Sequence, residues 1–191
     1  HKNPQLSSVL KTTCTGMVSS SHFPYMPPWK KPTEWREFNH ILATTISTHA
    51  AKLNRAKSFA LDIQAQLFAT TRILESLGAK TCTRCPDVCC LSAKIWADLK
   101  DALFWHLAGQ AIPLEQTIPP YQDTCHYLGR KGCTLPRLSR PFICTWYLCP
   151  TQVSRLKTIP KSEPLNTLRA TLHAIKQDRI MMENAFISSL L

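Results

Sequence analysis

Eight of the chain's nine cysteines lie between Cys82 and Cys149, and only Cys14 falls outside that window. A fold that accepts so many thiols in one segment has to pair them, bury them or give them a metal. Disulfides suit small secreted chains that lack a core, and a vicinal pair such as Cys89-Cys90 makes a strained ring if bridged to itself. Unligated cysteines pack as small apolar residues, but eight in one short window exceed what packing alone explains. Metal ligation is therefore the expected use, with disulfides and inert packing as the alternatives.

The spacing divides the thiols into two sets. Cys82-Thr83-Arg84-Cys85 is a C-x2-C, followed after Pro86-Asp87-Val88 by Cys89 and Cys90. Cys125, Cys133, Cys144 and Cys149 are separated by seven, ten and four residues, among the turn formers Gly129, Gly132, Pro136, Pro141 and Pro150. A C-x2-C loop aims two sulfurs at one ion about 2.3 Å away, and distant cysteines complete the set. Four thiolates suit zinc or an iron–sulfur cluster. No glycine tightens the loop between Cys82 and Cys90 in the manner of a zinc knuckle, whereas Cys85-Pro86 and Cys149-Pro150 repeat the Cys-Pro ending of bacterial ferredoxin ligand runs. Phe142, Trp146 and Tyr147 are expected to wall such a cluster from water. Iron–sulfur is the favoured reading, with zinc as the alternative.

The charge balance fits a thiolate centre. The chain carries 23 Lys and Arg against 12 Asp and Glu, a formal charge of +11 that counts every cysteine as neutral. A four-thiolate site holding a divalent ion or cluster core carries about −2 overall. Arg130, Lys131, Arg137, Arg140, Arg155 and Lys157 stand against one acid, Asp123, between Pro120 and Pro160. Part of the excess is then counter-charge, and the remainder keeps nucleic acid or an acidic protein in view as a partner through Lys30, Lys31, Lys52, Arg55 and Lys57.

The flanks read as helix. Residues 1–32 form an extended, proline-rich arm whose Phe23, Tyr25, Met26 and Trp29 are expected to lie against the body or a partner. Over 33–79, Thr33 is a candidate N-cap and Glu34 and Glu37 suit the helix dipole. Trp35, Phe38, Leu42, Ile46, His49, Leu53, Ala56, Ala60, Ile63, Leu67, Thr70, Leu74 and Leu77 then follow at steps of three and four, with Gly78 as a stop. This predicts one long helix or a hairpin broken near Asn54–Ser58. A short helix is expected over Ala93–Ala108, with a strand-like start at Lys94–Trp96. Residues 151–191 read as a linker and a C-terminal helix packing on 33–79, its stripe running through Leu165, Leu168, Leu172, Ile175, Met182, Phe186 and Leu190. No apolar run approaches the ~18 residues of a membrane helix. A chain beginning at His1 is expected to be trimmed or processed, which leaves a removed targeting peptide open.

The ordered set Cys82 to Cys90, Cys125-His126-Tyr127-Leu128, Gly132-Cys133-Thr134-Leu135, Arg140-Pro141, Cys144 and Tyr147-Leu148-Cys149 resembles the CxxCxxCC, YkgJ-like family of zinc- or iron-chelating proteins. The resemblance covers about residues 80–150, and implies iron–sulfur or zinc binding there. One departure is that three residues, not two, separate Cys85 from the vicinal pair. The family is also similar to a portion of flagellin lysine methylases, but Gly129-Arg130-Lys131-Gly132 is too short to cradle a methyl donor.

The expectation is a mainly α, cytoplasmic protein in which a helical bundle flanks a loop-rich, cysteine-rich metal-binding module over 80–150. Cys82, Cys85, Cys89, Cys90, Cys125, Cys133, Cys144 and Cys149 are the candidate ligands of one or two centres, with His106 and His126 as substitutes or tuners. Iron–sulfur implies electron transfer or cluster handling with a redox or protein partner. Zinc implies a stapled module docking to nucleic acid or an acidic protein. A free thiolate nucleophile at Cys89 or Cys90 is a third use, activated by a neighbouring cation. No hydrolase, P-loop or metalloprotease motif is present in the sequence, so catalysis is not argued from it.

Overall fold

A computed structural model of the chain describes residues 29–82, 85, 89–92, 94–118, 124–130, 132–158 and 163–191. Residues 1–28 of the predicted arm, with Cys14, lie outside the described residues, as does the side chain of Cys89. The protein is mainly helical. Its α-helices are α1 (Pro32–Thr48), α2 (Asn54–Thr81), α3 (Cys89–Ser92), α4 (Leu99–Leu107), α5 (Ile143–Trp146), α6 (Pro150–Lys157) and α7 (Glu163–Leu190). A two-residue antiparallel pair, β1 (Leu128–Gly129) and β2 (Gly132–Cys133), forms a hairpin. Among the described residues no helix is long and apolar enough to cross a membrane.

The first stripe behaves as its spacing requires, with corrected ends. Lys31, not Thr33, is the N-cap, because Pro32 already has the backbone angle of a first helical residue and Glu34 accepts the Lys31 N–H at 3.1 Å. The break falls at His49–Leu53, through a 3-10 turn at Ala50–Lys52, so Asn54–Ser58 already belong to α2. Gly78 does not stop α2. It lacks the left-handed backbone of a helix stop, and the helix runs on to Thr81 with the Cys82 N–H closing on the Gly78 carbonyl. A single interior glycine costs only about 1 kcal/mol, and the consequence here is that α2 delivers Cys82 at its end.

The two halves of the stripe do not lie along each other. The main helix contact of α1 is with α4, whereas α2 packs chiefly on α7 and α4 lies against both. Ala56, Ala60, Ile63, Leu67, Leu74 and Leu77 of α2 are buried together with Leu165, Leu168, Leu172, Ile175, Met182 and Phe186 of α7. Fully burying a Leu, Ile or Phe side chain is worth about 1.5–3 kcal/mol, so this pair is the mechanical centre of the body.

The short helix is shorter than expected. Residues 94–98 are not helical, because Asp98 and Asp101 cap α4 reciprocally, at 2.8 and 3.0 Å. Residues 95–97 are tied instead to the 116–117 segment: Gln116 bonds both the N–H and the carbonyl of Ala97, and the Thr117 hydroxyl donates to Ile95. Gly109, at φ +64°, follows the helix end.

Indole N–H groups fasten loops to the body. Trp35 donates to Pro113 at 2.8 Å, and Trp105 donates to Leu138, within the cysteine segment, at 2.9 Å. Trp29 stacks on Phe38 at 3.8 Å and donates to Ala97. Each buries a large apolar ring while its one donor is satisfied.

Sequence spacing missed a buried charged cluster. Arg179 occupies the position between Ile175 and Met182 on the apolar stripe of α7 and is only 5% exposed. Its guanidinium meets Asp101 at 2.8 Å and Asp98 at 3.0 Å, and lies over the Phe142 ring at 4.8 Å. Asp101 also accepts the Phe142 N–H at 2.9 Å. Burial raises the Asp101 carboxyl to about 6 although Arg179 opposes the shift, and the Asp98 charge adds to the rise. At Asp98 burial acts in the same direction, but Arg179 and Lys100 outweigh it and hold the group below its ordinary value. This cluster joins α4 and α7 to the loop that leads into Cys144.

Candidate metal centre

The thiols fall into two groups that differ from the order in which they occur along the chain. Cys90, Cys125, Cys133 and Cys144 form one. The Cys125 N–H donates to the Cys90 carbonyl at 3.1 Å, which places the end of the first sequence cluster beside the start of the second. The hairpin then returns Cys133 opposite Leu128. Gly129 and Gly132 permit that return: a Cβ at Gly129 would sit 2.8 Å from the Thr134 methyl, and Gly132 has φ +107°. The motif glycine before Cys133 is thus a turn residue and no part of a methyl-donor cradle.

Cys144 is the member around which the others gather. Burial first, then the charges of Cys133, Cys90, Asp101 and Cys125, push its thiol far above the ordinary value. The three other thiols of this group come from three separate segments of the chain. Burial also raises Cys125, and Cys133 adds to the rise, while the backbone N–H groups of Tyr127 and Leu128 act toward the thiolate. A sulfur facing amide donors is set up to carry negative charge.

Two guanidinium groups border this group. Arg140 donates to the carbonyls of Leu135 at 2.9 Å and Cys133 at 3.4 Å, so the arginine of Arg140-Pro141 braces backbone carbonyls. Arg137 is half-buried, and its Nε is buried with no hydrogen-bond partner among the described residues. Burial, followed by the nearby Arg140 charge, lowers Arg137 to about 10, and negative charge on Glu75, Cys133 or Cys144 acts the other way. A buried guanidinium nitrogen without a hydrogen-bond partner among the described residues favours negative charge beside it, to which Glu75 already contributes.

The second group sits where α2 ends and α6 begins. Cys82 caps α2 and Cys149 precedes Pro150, the first residue of α6. Gln152 links them: its amide donates to the Cys82 sulfur at 3.8 Å, and its carbonyl accepts the Cys149 N–H at 3.2 Å. Cys85 follows one turn after Cys82, its N–H reaching the Cys82 carbonyl at 3.4 Å. Pro86 and the 87–88 linker lie outside the described residues.

All cysteines whose side chains are described carry free thiols. Among the described residues, no three Cys, His, Asp or Glu side chains converge closely enough to surround one ion. The sulfurs gather in two places without closing on a shared centre. The donor set and the idle Arg137 nitrogen suit an anionic metal–thiolate site, which fixes where the fit can be tested.

Other expected contributors fall elsewhere. His106 faces Asn39 on α1 at 3.0 Å, and His126 is exposed with its ring against Tyr127. Phe142 is buried, but Trp146 and Tyr147 are 44% and 49% exposed, so they do not wall the thiols from water. Lys30 and Lys31 precede α1, while Lys52, Arg55 and Lys57 follow it. The 17-residue helix between them spans about 25 Å, which separates the proposed basic patch into two ends. Within those ends Lys31 pairs with Glu34, and Lys30 and Arg55 lie over Trp96 and Phe59. Gln152 is the site residue that spacing alone passed over, whereas Arg137 was already among the expected counter-charges. The available signal was an amide three residues after Cys149.

No family model, curated protein or solved structure matches this chain, so the site has to be argued from its own geometry.

Proposed function

We propose that the protein is a metal-binding protein whose cysteine segment holds iron–sulfur, and that it serves electron transfer or cluster handling. Cys90, Cys125, Cys133 and Cys144 would hold one centre, with Arg137 and Arg140 as counter-charge. Cys82, Cys85, Cys89 and Cys149 would form the second, with Gln152 bonding the Cys82 sulfur and the Cys149 N–H. The observation that carries this reading is the setting of Cys144, whose surroundings include the Cys90, Cys125 and Cys133 thiols, with the Arg137 Nε nearby, buried and without a hydrogen-bond partner among the described residues. Negative charge on Glu75 acts on Arg137 whatever the state of the thiols, and a four-thiolate centre of about −2 net charge would add to it beside Arg137 and Arg140. The ordered Cys pattern and its resemblance to the CxxCxxCC family support the same reading.

An iron–sulfur cluster supplies one-electron chemistry, and the chain's part is to set its potential. Burial of Cys144, the N–H groups facing Cys125 and the two arginines are the means available here. Free thiols also fit a reducing compartment, and on that ground we place the protein in the cytoplasm.

The test is anaerobic purification followed by metal and acid-labile sulfide analysis. The proposal predicts iron and sulfide in near-equal amounts, with a visible sulfur-to-iron charge-transfer band that bleaches on reduction. Colourless protein with stoichiometric zinc would replace cluster chemistry with a folding staple. Protein lacking both metals after purification and reconstitution would end the metal reading.

A further inference from the structure

Beside the second thiol group, a groove of about 940 Å³ opens between the end of α2 and one face of α6. Thr151, Ser154, Arg155 and Thr158 line it from α6, and Ala79, Lys80 and Thr81 from α2. The α6 residues recur at steps of three, one and three, which is a single helical stripe. The opposite side of α6 buries Leu156 in the core, so the stripe faces outward by necessity. Its composition is not dictated by that. A solvated face ordinarily mixes acids with bases, yet no Asp or Glu lines the groove among the described residues, and none occurs in the sequence from Thr124 through Ser162.

The donors are available. Lys80 and Arg155 are exposed, and neither has an ion-pair partner among the described residues. The Thr81 and Thr158 hydroxyls donate inward, to Leu77 at 2.7 Å and Arg155 at 2.7 Å. Thr151 and Ser154 make no such bond among the described residues, which leaves two hydroxyls, an ammonium and a guanidinium facing one space. The amino-terminal end of α6 adds positive potential at the same end as Thr151. The volume lies in the range of small-molecule sites, far above what one phosphate fills.

We infer that this groove binds the phosphate group of a small molecule, with Lys80 and Arg155 as its cationic clamps and Thr151 and Ser154 as neutral donors. The inference does not rest on the metal reading, since none of these four residues is a proposed ligand.

Calorimetric titration of the full chain at low salt, with inorganic phosphate, adenosine monophosphate and adenosine as probes, tests it. Both phosphate-bearing probes are expected to bind saturably and adenosine not at all. The Lys80→Ala/Arg155→Ala double variant should weaken binding about tenfold or more, while Lys52→Ala leaves it unchanged. Tighter binding of the monophosphate than of phosphate would assign the site to a phosphate ester, and equal binding to free phosphate. Absence of saturable binding by either, or affinity unmoved in the double variant, overturns the inference. Both substituted residues are exposed, and circular dichroism checks that the variant is folded. Repeating the titration on metal-stripped protein separates this result from any failure of the metal reading.

Discussion

The helical body and the cysteine segment are held together by different means. In the body, α2 and α7 face each other along most of their lengths, with apolar side chains at nearly every helical step except Thr70 and Arg179. Among the described residues from Thr124 to Lys157 the regular elements are a hairpin of two-residue strands, a three-residue 3-10 turn at Arg137–Ser139, a four-residue helix and an eight-residue helix. Beside Phe142 and Leu156, which reach the core, it is fixed by a small number of polar contacts: Trp105 to Leu138, Asp101 to Phe142, Arg140 to Cys133 and Leu135, and Gln152 between two cysteines. A body stabilised by many interchangeable apolar contacts tolerates the loss of one. A segment stabilised by few polar contacts does not, and that is where a bound metal adds most.

The comparison can be broken first at the thiols. Cys144→Ser should release metal from the first group and abolish amide protection across the hairpin and α5, while α2 and α7 keep theirs in hydrogen-exchange measurements. For structural zinc peptides the energy at stake is about 10–16 kcal/mol, so the local effect should be complete. Next comes the junction between the regions. Arg179→Ala leaves Asp98 and Asp101 without their buried partner and should cost about 3–5 kcal/mol in urea unfolding. Arg140→Ala, which removes two carbonyl braces inside the segment, should cost about 1–3 kcal/mol and act on the hairpin alone.

Acid and base should distinguish the two carboxylates of the junction. Asp98 lies below its ordinary 3.8, so its contribution is fully present above that value and is lost as pH falls through the lowered folded one. Asp101 lies above, near 6, so the folded state takes up its proton first, and stability falls as pH rises from about 4 through 6. On these two groups stability is therefore expected to peak near pH 4, and Asp101→Asn should flatten the limb above that pH in denaturation series. Smallest of all, Phe68→Ala, at an exposed position on α2, should change stability by less than about 0.5 kcal/mol.

The stripes of α1, α2 and α7 were legible because helical periodicity is a local signal, repeated often enough to survive errors at the ends. Their boundaries were not: Gly78 reads as a stop only if the chain turns there, and tertiary contact with α7 carries α2 past it. In the Asp98–Asp101–Arg179 cluster, Asp98 and Arg179 are 81 positions apart, and no local pattern announces such a pair. Its one trace was a charged residue at a stripe position between Ile175 and Met182. The candidate site shows the same limit. Cysteine spacing suggested two sets in chain order, whereas backbone pairing of Cys125 with Cys90 regroups them, a rearrangement that depends on the hairpin at Gly129 and Gly132.

The most direct test is a crystal structure of anaerobically purified, metal-replete protein, with anomalous data collected at the iron edge. The account predicts an anomalous centre bonded to the sulfurs of Cys90, Cys125, Cys133 and Cys144. Those sulfurs bridged pairwise, or sharing no atom in fully loaded crystals, would contradict it.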